Sequence, residues 1–253
     1  MKRLSFIIIA AVAMVFTACS TKQISTRLLC YNVRNCMGLD GVQDFERVAK
    51  IITDVDAEAV AIQELDSMTT RYPGKDVLGE LAALTGMHPT FVPSIDYKGG
   101  KYGIGMLTKE KPISYRRVPL PCRSEPRSLL IVELEDYYYC CTHLSLHEED
   151  RVTSAGIIVE ELSKLDKPAL LAGDFNADPT SEFMKIMGEH FHVFKKTDGE
   201  GFTFRADKPF SEIDYICLFT DKGAKAEVTS HTVINAPVES DHRPIVADIV
   251  ITE

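Results

Sequence analysis

Ala169-Leu170-Leu171-Ala172-Gly173-Asp174-Phe175-Asn176 decides how this chain is read. The apolar run forms a short buried strand, and a glycine then delivers an acid and an amide at its end. Ser240-Asp241-His242-Arg243-Pro244 places an acid and an imidazole just before another apolar run, Pro244 to Ile251. Glu64 closes the strand-like Ala57 to Gln63, and His143 closes Tyr137 to Thr142. Strand-end side chains are positioned by the sheet and can converge on one site. The repeated pattern suggests metal-assisted hydrolysis of phosphate esters.

Outward from these runs, strand-like and helix-like segments alternate. Arg27 to Val33 reads as a strand, and Val42, Phe45, Val48, Ile51, Ile52 and Val55 recur at helical spacing. Ala57 to Gln63 is a buried strand, and Asp76 to Leu84 a short helix with Gly86 as its stop signal. Strands are predicted at 102–108, at 128–142 with a turn at Glu135-Asp136, and at 169–173, 213–219 and 244–251. Glu149 to Leu165 is predicted as a helix. No repeat, linker or low-complexity segment interrupts the series, so residues 27–253 form one α/β domain.

The first residues stand apart. Lys2-Arg3 precedes an apolar run from Phe6 to Phe16, and Phe16-Thr17-Ala18-Cys19 follows. That layout is a signal peptide, too short and wrongly flanked for a spanning helix. It resembles a bacterial lipobox, with Phe16 where leucine is usual; the alternative is a plain secretory signal. Residues 1–18 are therefore expected to be removed, Cys19 lipidated, and residues 19–26 left as a tether. The protein is expected on the bacterial cell envelope, at the periplasmic face or outer surface.

Loss of Lys2 and Arg3 takes the net charge from −9 to −11. An acidic protein repels polyanions at long range, which argues against broad non-specific nucleic-acid binding. Arg116, Arg117, Arg123 and Arg127 crowd a Pro-rich stretch that reads either as a solvated loop or as a phosphate contact. Cys30, Cys140, Cys141 and Cys217 lie in apolar runs and read as buried thiols. Cys30 and Cys36 leave pairing open, and no cysteine spacing resembles a zinc site.

Phosphoester hydrolysis needs metal-binding acids, a group that aligns water, donor amides and an oriented imidazole. Asn32, Glu64, His143, Asp174, Asn176, Asp214, Asp241 and His242 supply that set. Tyr31-Asn32-Val33, Gln63-Glu64, Thr142-His143-Leu144, Gly173-Asp174-Phe175-Asn176, Ile213-Asp214-Tyr215-Ile216 and Ser240-Asp241-His242-Arg243-Pro244 occur in that order. Together they resemble the motifs of the endonuclease/exonuclease/phosphatase superfamily, the deoxyribonuclease I-like proteins, over Tyr31 to Ile249.

The resemblance implies a four-layer α/β/β/α sandwich of two mixed sheets flanked by helices. It implies Asn32, Glu64 and Asp241 on the metal side, with Mg²⁺ as the cation and Mn²⁺ as the alternative. Asp174 would align water, His143 and Asn176 would hold the phosphate, and Asp214 would orient His242. Ile104 departs from the pattern, because many members carry an asparagine there. The expected protein is a monomeric phosphodiesterase or phosphatase acting on a small phosphate ester or lipid headgroup. The rival readings are a secreted nuclease, with nucleic acid the less favoured substrate, and a binding lipoprotein without catalysis.

Overall fold

The computed structural model describes residues 22–71 and 74–252. In chain order the elements are β1 (Gln23–Asn32), α1 (Phe45–Val55), β2 (Ala59–Ser67), α2 (Val77–Thr85), β3 (His88–Tyr97), β4 (Gly100–Thr108), β5 (Ser114–Leu120) and β6 (Arg127–Glu133). They continue with β7 (Tyr138–His143), α3 (Glu148–Ser163), β8 (Ala169–Asp174), α4 (Glu182–His190), β9 (Phe191–Val193), β10 (Asp214–Phe219), β11 (Lys225–Val233) and β12 (Ile245–Thr252).

Strand β1 shows how the layers arise. Ile24, Leu28 and Cys30 point to one side and Leu29 and Tyr31 to the other, as the two-residue period of a strand requires. Both sides are apolar, so both must be covered. The first set packs between two sheets; the second packs beneath α1 and α2. Sheet one runs β11-β12-β1-β2-β4-β3 and sheet two β5-β6-β7-β8-β10-β9. On the far face of sheet two, α3 and α4 cover Leu129, Ile131, Leu171 and Cys217. The result is the α/β/β/α sandwich.

Each sheet contains one parallel pair. β1 and β2 are parallel, as are β7 and β8, because α1 and α3 carry the chain back across the sheet. All other pairings are antiparallel. α1 starts where Asp44 accepts the Arg47 N–H at 3.1 Å and stops at Asp56, whose φ of 55° is left-handed.

Several elements go beyond the sequence reading. β3, β9, β11 and α4 were not predicted, and the arginine-bearing stretch at 114–120 is β5 and not a loop. The turn expected at Glu135-Asp136 is present and divides 128–142 into β6 and β7. The tether is also shorter than expected: Gln23 already pairs with Thr252, and Thr26 is buried against the Tyr137 hydroxyl. Residues 1–21, with the expected cleavage point and Cys19, lie outside the described residues. All six cysteines among the described residues are free, Cys30 and Cys36 included. No described helix is long and apolar enough to cross a membrane.

His231 on β11 is fully buried; its Nδ1 lies 3.1 Å from the Phe194 carbonyl, and its Nε2 has no partner. Burial, helped by the nearby Lys196 charge, pushes its pKa down from 6.5 to about 3. The unfolded chain therefore takes up this proton first, and stability falls as pH drops from 6.5 towards 3. The slope from one such group is at most about 1.4 kcal/mol per pH unit. Urea unfolding across that window should show a smaller acid loss for His231→Phe than for the wild type; equal losses would assign the acid sensitivity elsewhere.

Candidate active site

The two-residue period that builds the inter-sheet core also builds the site. Leu28 and Cys30 lead to Asn32 on β1, and Tyr139 and Cys141 lead to His143 on β7. Leu170 and Ala172 lead to Asp174 on β8, while Asp214 shares its face of β10 with Ile216 and Leu218. Polar residues thus replace apolar ones where the inter-sheet layer ends. Gly173 keeps β7 and β8 in register there, because a side chain on it would collide with the Thr142 carbonyl. His143 consequently stands opposite Asp174.

Glu64 arrives by a different route. On β2 the inward positions are Ala59, Ala61 and Gln63, so a regular strand would aim residue 64 at the helices. The register between β2 and β4 shifts between Ile62 and Leu65, and Glu64 takes a φ of 61°. This bulge turns the carboxylate towards Asn32. Asn176 also has a left-handed backbone, φ 49°, as do Arg34, Asn35 and Cys36 beside Asn32. Such conformations cost about 1–3 kcal/mol for non-glycine residues and cluster where geometry is over-determined.

Asn32 is the hub. Its Nδ2 donates to Glu64 Oε1 and Asp174 Oδ2, each at 3.1 Å, and lies 3.5 Å from His242 Nε2. Its Oδ1 accepts the Arg34 N–H at 3.1 Å, and its carbonyl accepts the Ser240 hydroxyl at 2.7 Å. Asp174 Oδ1 accepts the Asn176 N–H at 2.9 Å, and Asn176 Nδ2 donates to the Leu144 carbonyl at 3.1 Å. His242 Nδ1 donates to Asp214 Oδ2 at 2.9 Å. His143 Nε2 and His242 Nε2 lie 3.5 and 3.6 Å from Asp174 Oδ2. Asp241 is partly exposed, with Arg34 Nε at 3.6 Å from its carboxylate. All eight residues singled out from the sequence therefore meet at one end of the sandwich.

Over residues 29–242 the chain matches the model of the Endonuclease/Exonuclease/phosphatase family. The chain belongs to this family. Its fold is similar to an endonuclease/exonuclease/phosphatase from Beutenbergia cavernae DSM 12333, at 23% identity over 89% of this chain and 71% of that one, with a TM-score of 0.73. A Bacteroides vulgatus endonuclease/exonuclease/phosphatase is 19% identical over 89% and 98% of the two chains, also with a TM-score of 0.73. A mannosyl-6-phosphatase of Bacteroides thetaiotaomicron VPI-5482 is 16% identical over 89% and 99%, with a TM-score of 0.71. Comparison with curated proteins gave no match.

Charge is unevenly shared within the site of this endonuclease/exonuclease/phosphatase family member. Burial raises the pKa of Glu64; the Asn32 hydrogen bond works against that rise and the Asp241 charge adds to it. Burial likewise raises Asp174, against the pull of His242. For His242 burial favours the neutral ring, but Asp214 and Asp174 outweigh it and hold the imidazolium. His143 goes the other way: burial, Arg127 and His242 all push it well below 6.5, so it is neutral.

The four arginines are now distinguishable. Arg116 pairs with Glu161, Arg117 bonds Ser128, and Arg123 pairs with Glu149 and Asp150. Arg127 is buried, bonds Glu125, keeps an unpartnered Nε, and acts on both Glu64 and His143. It is the arginine of this group that belongs to the site. Ile104 lies in the inter-sheet core, so the departure there is filled by packing.

Two supports carried no motif, and a third, Ser240, stood in the last motif without an assigned role. Ser240 ties Asn32 to the last motif, Phe204 packs its ring 5.0 Å from that of His242, and buried Lys196 donates to the Asp214 carbonyl at 2.8 Å. Their signal is spatial, since Phe204 and Lys196 sit in a stretch with no periodic pattern.

Because Asp214 and His242 are each buried against the other, removing one strands its partner. Asp214→Asn and His242→Ala should therefore be coupled in urea unfolding, with an interaction energy of about 0.5–3 kcal/mol in a double-mutant cycle. Additive losses would mean that the hydrogen bond carries no net energy.

Proposed function

We propose that this chain is a divalent-metal-dependent phosphoester hydrolase with Mg²⁺ as its cation. The observation that carries the reading is the Asn32 amide, which holds Glu64 from one sheet and Asp174 from the other at 3.1 Å each. That contact joins the two halves of a hydrolytic site. Family membership supports the class of reaction.

The residues fit a hard cation. Glu64 is a part-buried carboxylate whose ionised form is disfavoured by loss of solvent and by Asp241, so the pair lacks positive charge. Glu64, Asp241 and the Asn32 amide oxygen form the oxygen-rich set that Mg²⁺ prefers. Asp174, Asp214 and His242 also bring one donor atom each within 4.8 Å of one another. With the His242 Nδ1–H given to Asp214 and the ring held protonated, that trio suits a hydrogen-bonded relay better than a coordination shell. A bound cation supplies neutralisation of charge on the phosphoryl and leaving oxygens.

The chain's own groups do the rest. Asp174, with a proton affinity raised by burial, aligns a water and accepts its proton as the water attacks phosphorus and the opposite P–O ester bond breaks, its electron pair leaving with the departing oxygen. The His242 imidazolium, oriented by Asp214, turns Nε2–H to a phosphoryl oxygen. Neutral His143 donates a second hydrogen bond, and Asn176 offers the amide hydrogen not used on Leu144. Arg127 adds a buried positive charge beside them. Donors fixed in a desolvated site need no reorganisation as charge develops.

The acidic mature chain disfavours polyanions, leaving a small phosphate ester or lipid headgroup as substrate. Lipid on Cys19 holds the enzyme to an envelope membrane, a reading supported by Lys2-Arg3, the apolar run and Ala18-Cys19. Stable anchoring takes more than one acyl chain, which a diacylglyceryl cysteine provides.

Glu64→Ala should lower kcat/KM for a chromogenic phosphodiester roughly a thousandfold, about 4 kcal/mol. Mg²⁺ should raise the Tm of the wild type and leave that of Glu64→Ala unchanged. Full activity in excess chelator would overturn the metal assignment. Cys19→Ser should release the protein from membranes or block its maturation; a membrane-bound Cys19→Ser protein would require another anchor.

A further inference from the structure

We infer that the catalytic mouth faces away from the membrane that anchors the chain, so its phosphoester is carried by a water-soluble molecule and not by a lipid of that membrane. The inference rests on the hydrolase and lipid-anchor readings and narrows the substrate within them.

β1 begins at Gln23 and ends at Asn32, the hub of the site. Its ten residues separate strand start from site by about 30 Å, at roughly 3.3 Å per residue. Everything near Gln23 belongs to the opposite pole. Gln23 pairs with Thr252, and Lys22 is ion-paired with Asp136 in the turn between β6 and β7. Site residues instead come from the carboxyl ends of β1, β2, β7 and β8 and the amino ends of β10 and β12.

Four residue steps separate Cys19 from Gln23, and fully extended they reach at most ~14 Å. Inverting the domain to press its mouth on the anchoring bilayer would lift Gln23 about 30 Å above it. The tether cannot span that distance. Nor is the strand start loose, because Ile24 is buried in the inter-sheet core and Thr26 bonds the buried Tyr137 hydroxyl. Lying on its flank, the domain would open its site along the membrane surface and not into it.

The apolar rim gains a meaning from this geometry. Met68, Leu146 and Phe210 are 59%, 71% and 65% exposed. They follow Glu64, follow His143 and flank the Phe204 that packs on His242. Exposed apolar residues beside a polar mouth mark either a surface that meets a membrane or partner or the edge of a ligand-binding groove. Here they are at the pole that cannot reach the anchoring bilayer, so they meet incoming solute.

The chain contains no tryptophan, so a single introduced one reports its own position. Full-length lipidated protein carrying Leu146→Trp, or Glu135→Trp in the turn at the opposite pole, is placed in phosphatidylcholine vesicles with a dansyl-headgroup lipid. Energy transfer is expected from the Glu135→Trp protein and its loss in the Leu146→Trp protein; equal or reversed transfer overturns the inference. The kcat/KM for a free chromogenic phosphodiester should be unchanged between vesicle-bound wild type and soluble Cys19→Ser. Hydrolysis of headgroups in the protein's own vesicle overturns the inference, as does a mature protein whose mass shows an unmodified Cys19. Inactivity of soluble Cys19→Ser on every free phosphoester with Mg²⁺ would overturn the hydrolase reading instead, and the transfer result would still report orientation.

Discussion

The structure depends on one side-chain amide. Asn32 ends the central strand of sheet one and spends both of its amide hydrogens on carboxylates, Glu64 from its own sheet and Asp174 from the other. A lysine or arginine there would satisfy the same acids while cancelling their charge. A neutral amide fixes their positions and leaves the negative potential in place. Because Asn32 is fully buried, both hydrogens must find acceptors or cost roughly 1–3 kcal/mol each. The sheets cannot slide relative to each other without breaking the Asn32–Asp174 bond, so that contact ties the inter-sheet register to the site geometry.

Much of this was legible because the site continues the core. The alternation that places Leu28, Cys30, Leu170, Ala172, Tyr139 and Cys141 between the sheets delivers Asn32, Asp174 and His143 to the same face one step later. Reading apolar runs to their polar ends therefore located Asp174 and His143 without knowing the layers, while Asn32 entered with the motif Tyr31-Asn32-Val33. Glu64 is the exception. Periodicity aims it at the helices, and its inward direction comes from a bulge and a left-handed backbone that no pattern of side chains announces. Its place just after the apolar run Ala57 to Gln63 marked Glu64 as a strand-end acid, but the direction of its side chain was not legible there.

The strands that periodicity missed have a common cause. β3, β5, β9 and β11 are the edges of the two sheets. An edge strand is protected by charge, proline or shortness and so lacks the apolar signature of a central one. β3 carries Pro89 and Pro93, β5 has an arginine pair and Pro119, β9 spans only three residues, and β11 alternates with exposed Lys225, Glu227 and Thr229. The residues that prevent edge-to-edge association are those that hide the strands from a hydrophobic reading. The site was spared because its residues sit on central strands and at strand mouths.

Topology links this legibility to orientation. A parallel pair sends both carboxyl ends to one pole, and Asn32 joins the pair β1–β2 to the pair β7–β8, so all four ends gather there. The beginning of β1 must then lie at the other pole. β12 runs antiparallel to β1, bringing Thr252 back beside Gln23. An attachment at either strand end leaves the loops around Glu64, His143, Asp174 and His242 unobstructed. The connectivity that assembles the polar residues also sends the beginning of β1 away from them. The gathering of the site residues and the remoteness of the strand's beginning are therefore set by one feature of the fold, the direction of its first strand.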